Sequence, residues 1–292
     1  MSTEPEVLAH PSPTGTATGH LVRPAGGGLP ALFEYFAITA RRYLKVSAFS
    51  LVGAPILYML SLGVGLGSVV NSGAGAHSLA TSYLSFIAPA LIAATALQVA
   101  VMDATYPVLH GGFKYQRVYF AMNATPLSAG QISGGVLGFT ALRAAASAAV
   151  YLAVVGCFGG IRSIGALLCV PIATLGALAV AAPIAAYSAT VQSESGGFSS
   201  IFRFLVMPMF LFSGTFYPIS TLPHWARWLA WLSPLWHSSE LSRWAALGSL
   251  HLRSGIGQVS MLAGLVHLGY LLALTVLGVR LTSWRFRVRL AR

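Results

Sequence analysis

The amino-acid sequence predicts an all-α polytopic membrane protein with six transmembrane helices. Of its 292 residues, 56% are hydrophobic and only 8% are charged, and the mean hydropathy is +0.74. A soluble core of this length cannot account for such an apolar surplus, so the chain is expected to lie in a membrane. Six apolar stretches also approach the roughly 20 residues that a helix needs to cross a bilayer.

The predicted elements follow one another from the N-terminus. Residues 1–28 are expected to form a disordered cytosolic tail, because they are polar and rich in proline and glycine. Residues 29–46 carry Leu32, Phe33 and Phe36 on or near one face, which predicts a helix lying along the membrane surface. The alternative is that this segment is the frayed start of the first span. The six spans are assigned to residues 47–69, 83–102, 138–158, 164–190, 202–217 and 257–281.

The distribution of lysine and arginine predicts the orientation. Most of these residues fall on one side of the predicted spans. They are Arg23, Arg41, Arg42, Lys45, Lys114, Arg117, Arg203, Arg280, Arg285, Arg287, Arg289 and Arg292. The other side has Arg162, Arg227, Arg243 and Arg253. Both termini are therefore predicted to be cytosolic, in a cytoplasmic membrane.

Residues 102–131, here called the knob, form the longest polar interruption of the apolar sequence. Lys114 and Arg117 lie here beside Tyr115 and Tyr119, and this basic and aromatic segment is expected to be a helix-bearing cytosolic loop. We interpret it as the place where a soluble partner pushes on the membrane domain. A second short loop contains Glu194, a candidate docking charge for the same partner.

Arg143 lies within the third apolar stretch. A charge at the bilayer centre costs at least about 2.5 kcal/mol. The favoured interpretation is therefore a third helix that begins in the cytosol and enters the membrane near Arg143, with residues 144–160 inside the hydrocarbon core. The alternative is a buried arginine that contacts an acidic or phosphorylated substrate.

Residues 219–256, here called the lid, are rich in tryptophan. Pro223 and Pro234 divide the lid into pieces that are too short to span a membrane. We expect amphipathic half-helices that lie at the outer interface or dip partly into the membrane, with indoles at headgroup level. The tryptophans are Trp225, Trp228, Trp231, Trp236 and Trp244.

Several kinds of chemistry are excluded by the sequence. Its two lysines, Lys45 and Lys114, do not follow a glycine, so it has no GxxxxGK[ST] phosphate loop. It also lacks the HExxH and GxSxG motifs, and its histidines show no metal-ligand spacing. Cys157 and Cys169 cannot form a disulfide framework or a zinc site. The basic residues flank predicted spans, a pattern typical of membrane topology and not of nucleic-acid binding.

Two segments carry a family resemblance. They are MDATYPVLHGGFKYQRVYFAMNATPLS, from Met102, and PMFLFSGTFYPISTLPHWARWLAWLSPLWHSSELSR, from Pro208. Over about residues 30–285 the chain resembles the permease subunits of type-2 ABC exporters, especially the nodulation lipo-oligosaccharide branch and its drug-export relatives. The resemblance implies an interfacial elbow helix, six spans, a cytosolic coupling helix and re-entrant outer half-helices before the sixth span.

The resemblance also implies partners and site residues. Two copies of the chain, or the chain and a paralogue, would join two separate cytosolic P-loop ATPases, which would bind ATP and Mg²⁺; the chain itself would hold no cofactor or metal. Residues 106–123 would dock the ATPase, with Tyr106, Lys114, Tyr115, Arg117, Tyr119 and Asn123 as candidate contacts. Glu34 and Arg41 would be elbow contacts. The candidate outer gate and lid residues are Phe212, Phe216, Pro218, Trp225 and Trp228.

The expected function is that of a permease subunit, not an enzyme, which exports an amphipathic lipo-oligosaccharide, glycolipid or hydrophobic drug. Residues 29–285 would form the transmembrane domain, and residues 286–292 a basic cytosolic tail that attracts anionic lipid. One alternative is an ATP-independent carrier or channel, which usually has an ionisable group in mid-membrane. The other is a lipid-modifying enzyme, which would need clustered His, Asp or Ser at one membrane depth.

Overall fold

The computed structural model describes residues 28–42, 52–72, 82–161, 163–192, 197–247 and 261–291. Every regular element in these ranges is helical. The predicted tail before residue 28 and the candidate docking residue Glu194 lie outside the described residues. The helices are α1 (Gly28–Arg42), α2 (Val52–Val70), α3 (Tyr83–Ala104), α4 (Val118–Asn123), α5 (Ala129–Cys157), α6 (Cys169–Ser188), α7 (Gly197–Phe212), α8 (His224–Leu232), α9 (Pro234–Leu247) and α10 (Met261–Leu290).

Five helices in the described ranges are long and apolar enough to cross a membrane. They are α2, α3 with its π-helical continuation to Lys114, α5, α6 with the 3₁₀ turn before it, and α10. The predicted all-α, multi-pass class is thereby confirmed. α7 is also apolar but shorter. At 1.5 Å per residue it measures roughly 24 Å, less than the hydrocarbon thickness of about 30 Å.

Two helices extend beyond the predicted spans. α5 begins at Ala129, before the third predicted span, because Ser128 and Gln131 form a capping box. The Ser128 hydroxyl accepts from the Gln131 N–H at 3.2 Å, and the Gln131 side-chain oxygen accepts from the Ser128 N–H at 2.8 Å. α10 does not stop at residue 281 but continues to Leu290, through most of the predicted basic tail.

Helices α3 and α6 run side by side in the same direction. At their C-terminal ends, the Ser188 hydroxyl donates to the carbonyl of Ala104 at 2.7 Å. At their N-terminal ends, both helices contact α9, and there the Cys169 thiol donates to the Ser242 carbonyl at 3.3 Å. We call the end of the bundle with Ala104 the knob end, and the end with α9 the lid end.

α10 runs parallel to α6. The Thr282 hydroxyl donates to the Ala182 carbonyl at 2.7 Å, and farther along the Arg289 guanidinium donates to the Ala189 carbonyl at 2.8 Å. Gly278 permits this close approach, because a Cβ added there would lie 2.9 Å from the Ala182 Cβ. In lipid the hydrophobic effect does not drive helices together, so association depends on close packing, which small residues at such contacts allow.

The remaining long helices run the opposite way. α5 begins at the knob end, where Gly130 lies near Arg287 of α10. α7 also begins there, with the Phe198 ring 5.1 Å from that of Tyr106. α2 ends at the lid end, where Gly67 approaches Tyr83. The long helices α2, α3, α5, α6, α7 and α10 therefore alternate in direction along the chain.

The two helices of the lid differ in their burial. α8 exposes its indoles, but α9 is buried between α3, α6 and α10. Small side chains allow this insertion: Cβ atoms added at Gly176 and Gly165 would lie 2.5 Å from the Ser238 Cβ and 2.2 Å from the Ala245 carbonyl oxygen. The charges in α9, which suggested an interface, instead neutralise each other inside the bundle.

Candidate functional site

The knob turns sharply at its tip. After α3, the chain forms a π-helical segment, Pro107–Lys114, and then reverses into α4. The N–H groups of Tyr115 and Gln116 both donate to the His110 carbonyl, at 2.9 and 3.3 Å. Arg117 is left-handed, with φ 51° and ψ 30°, and no other non-glycine residue of the described ranges has positive φ. This conformation costs roughly 1–2 kcal/mol, which the packing of the knob offsets.

A cluster of aromatic rings forms the core of the knob. The ring of Phe113 lies 5.0 Å from those of Tyr119 and Phe286, and the last two are 5.4 Å apart. Gly112 lies against this cluster, because a Cβ added there would be 2.0 Å from the Tyr119 ring. Tyr119 is only 4% exposed, so this predicted docking residue is part of the core. Burial raises the pKa of its phenol, which stays protonated at neutral pH.

Hydrogen bonds fix the knob to the ends of two long helices. The Arg289 guanidinium donates to the carbonyls of Ala189 and Val191, at 2.8 and 2.6 Å, and lies 4.8 Å from the Phe113 ring. The predicted docking residue Asn123 donates from its side-chain amide to the Leu290 carbonyl at 3.4 Å. Asn123 is therefore an anchor for the knob, joined to α10.

The outer surface of the knob is basic and aromatic. Tyr106, Tyr115 and Arg117 are exposed, and Lys114 is half-buried. The Lys114 ammonium lies 5.0 Å from the centroid of the Tyr115 ring, and the Arg117 guanidinium 4.8 Å from that of Phe120. Asp103, the only acidic residue of the knob, is largely buried. Such a surface suits a partner that offers carboxylates around an apolar patch.

A chain of ring contacts joins this surface to the membrane helices. Neighbouring rings from Tyr115 to His110, Tyr106 and Phe198 have centroids 5.1 to 5.3 Å apart, and Tyr187 lies 6.4 Å from Phe198. Phe198 is in the first turn of α7, and Tyr187 is in the last turn of α6. A force on the knob therefore has a continuous packed route to α7.

The first described helix packs on the knob end of α5. Leu32 is buried against α5, and the Phe36 ring stacks on that of Phe139 at 5.1 Å. The predicted elbow contacts Glu34 and Arg41 are both exposed. α1 thus packs its apolar face on the bundle and leaves the side chains of Glu34 and Arg41 exposed.

At the lid end, Arg243 ties three elements together. It is 1% exposed and donates to the Glu240 carboxylate at 2.7 Å. It also donates to the carbonyls of Phe86 in α3, at 3.1 Å, and of Gly214 and Thr215 after α7, at 2.7 and 3.2 Å. Sequence reasoning missed this buried pair, although the i, i+3 spacing of Glu240 and Arg243 was visible.

The predicted gate residues divide into two groups. Phe212, Phe216 and Pro218 are half-buried beside the turn that Arg243 holds, and the Tyr83 hydroxyl donates to the Phe216 carbonyl at 3.2 Å. The tryptophans of α8 are exposed, away from that turn. Trp225 and Trp228 are 65% and 55% exposed. The first group is therefore partly packed into the bundle, and the second lies at its surface.

A histidine pair joins the lid to α10. The Nδ1 atoms of His237 and His267 are 2.7 Å apart, and His237 Nε2 lies 2.8 Å from the Trp231 carbonyl. Since a carbonyl only accepts, Nε2 of His237 carries a proton; when His237 is neutral, its Nδ1 accepts from His267. Tyr270 stacks on His237 at 4.0 Å. Sequence reasoning treated these histidines separately, because they are far apart in the chain.

Arg143 has a partner that sequence reasoning did not identify. Its NH1 atom lies 2.5 Å from Oδ1 of Asp103, near the end of α3. The two side chains are 42% and 11% exposed. The predicted charge in the third span is therefore half of an ion pair.

The family of ABC-2 type transporters matches residues 31–247. Nodulation protein J of Rhizobium leguminosarum bv. viciae is 29% identical over 232 residues, which are 77% of this chain and 85% of that protein. Nodulation protein J of R. leguminosarum bv. trifolii is 30% identical over 76% of this chain and 83% of its own. The protein of that name from Rhizobium meliloti (strain 1021) is 27% identical over 74% and 82%.

Proposed function

The chain belongs to the ABC-2 type transporter family, and we propose that it is the permease subunit of an ATP-driven exporter. In this proposal the chain forms the membrane passage and catalyses no reaction. ATP and Mg²⁺ bind to a separate cytosolic P-loop ATPase. The knob is the observation that carries the proposal, because its exposed basic and aromatic surface rests on a rigid core joined to α6 and α10.

The knob would act as the coupling element. Tyr106, Tyr115 and Arg117 are exposed for direct contact with the ATPase, and Lys114 is half-buried beside them. Arg117 and Lys114 would contact carboxylates of the partner, while the tyrosines fill apolar pockets. Glu194, in the second loop, would add a docking charge of the opposite sign.

Six spans are proposed, with α7 as the fifth. The alternating directions of the long helices support this count, because α6 and α10 run parallel and need a crossing between them. α7 reaches from the knob end to the turn that Arg243 holds at the lid end. In this arrangement α1 is the interfacial elbow, and α8 and α9 are the re-entrant half-helices.

The knob end is proposed to face the cytosol. In the described ranges this end carries many arginines and lysines, among them Lys114, Arg117, Arg285, Arg287 and Arg289, and the positive-inside rule places such clusters in the cytosol. Both termini would then be cytosolic in the cytoplasmic membrane. The basic end of α10 would also attract anionic lipid.

The proposed cycle moves force along the described contacts. Closing of two ATPases around ATP pushes the knobs of two permease subunits, either identical or paralogous. The ring chain from Tyr115 to Phe198 passes this motion to α7. Because Arg243 links the far end of α7 to α3 and α9, the same motion reaches the lid. The passage then changes from inward-open to outward-open, and hydrolysis resets it.

The proposed cargo is amphipathic: a lipo-oligosaccharide, a glycolipid or a hydrophobic drug. Large apolar side chains are exposed along the candidate spans, including Leu57, Val64 and Leu277. Few charged groups accompany them, which suits an amphiphile better than a small ion. The similarity to Nodulation protein J sequences agrees with the nodulation branch that the sequence resembles, so the lipo-oligosaccharide implied by that resemblance is the first candidate.

The second candidate function is an ATP-independent carrier or channel. The Arg143–Asp103 pair favours it, because ion-coupled carriers place ionisable groups within the membrane. Family membership favours the ATP-driven exporter. Dependence of transport on a separate ATPase distinguishes the two functions.

Charge reversal on the knob tests the coupling role. The double variant Lys114→Glu with Arg117→Glu should insert normally, because both side chains reach the surface of a loop. Capture of the ATPase should fall at least about tenfold, since like charges across an interface cost several kcal/mol and each 1.4 kcal/mol is a factor of ten. The measurement is the ratio of ATPase to permease after purification through a tag on the permease.

The matched control reverses two charges at the same end but outside the knob, Arg285→Glu with Arg287→Glu. This variant should capture the ATPase nearly as well as the wild type. Equal capture by the knob variant and the wild type would contradict the docking proposal.

A further inference from the structure

Arg143 is placed in an unusual way for a charged residue. It lies at the midpoint of α5, roughly 21 Å from either end of the helix. Its guanidinium has five N–H donors, yet in the described ranges only NH1 has an acceptor, Oδ1 of Asp103. The side chain is 42% exposed, so its remaining donors face outward from the bundle.

Asp103 is also incompletely bonded. Its Oδ1 atom accepts from Arg143, but its Oδ2 atom is buried and has no hydrogen-bond partner among the described residues. A buried carboxylate oxygen without a donor is costly and calls for an explanation, such as a bound water or ion. The spare donors of Arg143 can bind an anion, whereas the second oxygen of Asp103 can only accept, from water or from a ligand hydroxyl.

The surface around the pair is apolar. Met102 and Leu142, which precede the two charged residues, are both exposed. Farther along the outer face of α5 come the exposed residues Ala146, Ala149 and Ala153. The guanidinium offers a charged contact at one end of this apolar strip. The surface therefore matches an amphiphile, which has a charged headgroup and an apolar chain.

We propose that Arg143 and Asp103 form a binding site for the anionic headgroup, a phosphate or a carboxylate, of an amphiphilic ligand. In the empty site, Asp103 neutralises Arg143 and holds its side chain in place. The ligand headgroup competes with Asp103 and takes a bidentate contact with the guanidinium fork. The apolar chain of the ligand lies along the outer face of α5. Assignment of this ligand as cargo rests on the proposed function, whereas the anion site itself does not.

The site lies at the base of the knob, since Asp103 is one of the first residues of that segment. Asp103 directly precedes Ala104, whose carbonyl accepts from Ser188 at the junction of α3 and α6. A headgroup that draws Arg143 away leaves Asp103 without its cation, next to this junction. Occupancy would thus change the stability of the segment that carries the docking surface.

Binding to the full-length chain tests the proposal. The chain is placed in nanodiscs of phosphatidylcholine, and the probe is a fluorescent dodecyl phosphate, with a dodecyl glucoside of the same label as the neutral probe. Arg143→Gln should weaken phosphate binding about tenfold or more, as expected for lost charge-assisted hydrogen bonds. Asp103→Asn should strengthen it several-fold, because the competitor for the guanidinium is gone. Neither variant should change binding of the glucoside.

Two further variants serve as controls. Arg143→Lys keeps the charge but loses the fork, so its affinity should lie between those of wild type and Arg143→Gln. Arg203→Gln removes an exposed arginine of α7 and should leave binding unchanged. Unchanged binding by a folded Arg143→Gln, or equal weakening by Asp103→Asn, would overturn the proposal, since a purely structural ion pair predicts the same sign for both changes.

A second arm identifies the source of the headgroup. If phosphatidylglycerol in the disc displaces the probe, the occupant is a bilayer lipid; if it does not, the site selects a single-chain amphiphile. Both results support the anion site. The binding assay contains no ATPase. A negative result in it therefore counts against the anion site, whereas a negative result in the ATPase capture experiment counts against the proposed function.

Discussion

Replacing Arg243 with leucine is expected to destabilise the protein by about 3–5 kcal/mol, because the substitution breaks a buried ion pair from one side. It leaves the Glu240 carboxylate buried without a cation. An unpaired buried charge accounts for most of the lost stability when one partner of a buried ion pair is removed. The carbonyls of Gly214 and Thr215 also lose their donor. Unfolding of the detergent-solubilised chain by heat measures the loss.

Two controls separate charge burial from loss of side-chain volume. The double variant Arg243→Leu with Glu240→Leu should recover much of the stability, because no buried charge then lacks a partner. Arg227→Leu removes an arginine that also donates to carbonyls but lies at the surface of α8, and should cost only about 1 kcal/mol. If Arg243→Leu is no less stable than Arg227→Leu, the hydrogen bonds and ion pair of Arg243 do not stabilise the lid.

Gly112→Ala should damage the knob by overpacking its core. The added methyl would lie 2.0 Å from the ring of Tyr119, which cannot retreat because Phe113 and Phe286 enclose it. Overpacking of this kind typically costs about 1–3 kcal/mol. We expect a lower unfolding temperature together with reduced capture of the ATPase.

Gly111→Ala is the matched control, one residue away in the same π-helical segment. A Cβ there would meet only the Gln116 side-chain oxygen, at an ordinary 3.7 Å. Alanine also favours helix over glycine by roughly 0.5–1 kcal/mol, so this variant should be neutral or slightly more stable. Similar behaviour of the two variants would contradict the close contact between Gly112 and Tyr119.

Local sequence patterns were sufficient to predict most of the long helices. The second predicted span, residues 83–102, matches α3 to within two residues, since an apolar run in lipid has to be helical. α5 begins before the third predicted span, at Ser128 and Gln131, whose spacing is that of a capping box. α10 continues past the sixth predicted span, where its Phe286 packs against Phe113 in the core of the knob.

The site was harder to predict, because its decisive contacts join residues that are distant in the chain. The position of the knob follows from its polar composition alone, but Tyr115 and Tyr119 could not be told apart as exposed and buried. The burial of Tyr119 depends on Phe286. Likewise, the polarity of Arg243 suggested an interface, and only the carbonyls of α3 and of the turn after α7 explain its burial.

Uphill transport by reconstituted protein tests the central claim most directly. Proteoliposomes contain the full-length chain, alone or with the P-loop ATPase that co-purifies with it, and the probes are a fluorescent lipo-oligosaccharide and a hydrophobic cationic dye. We predict that a probe accumulates against its gradient only when the ATPase and ATP are both present. Accumulation by the chain alone would contradict the view that it is a passage driven by a separate ATPase.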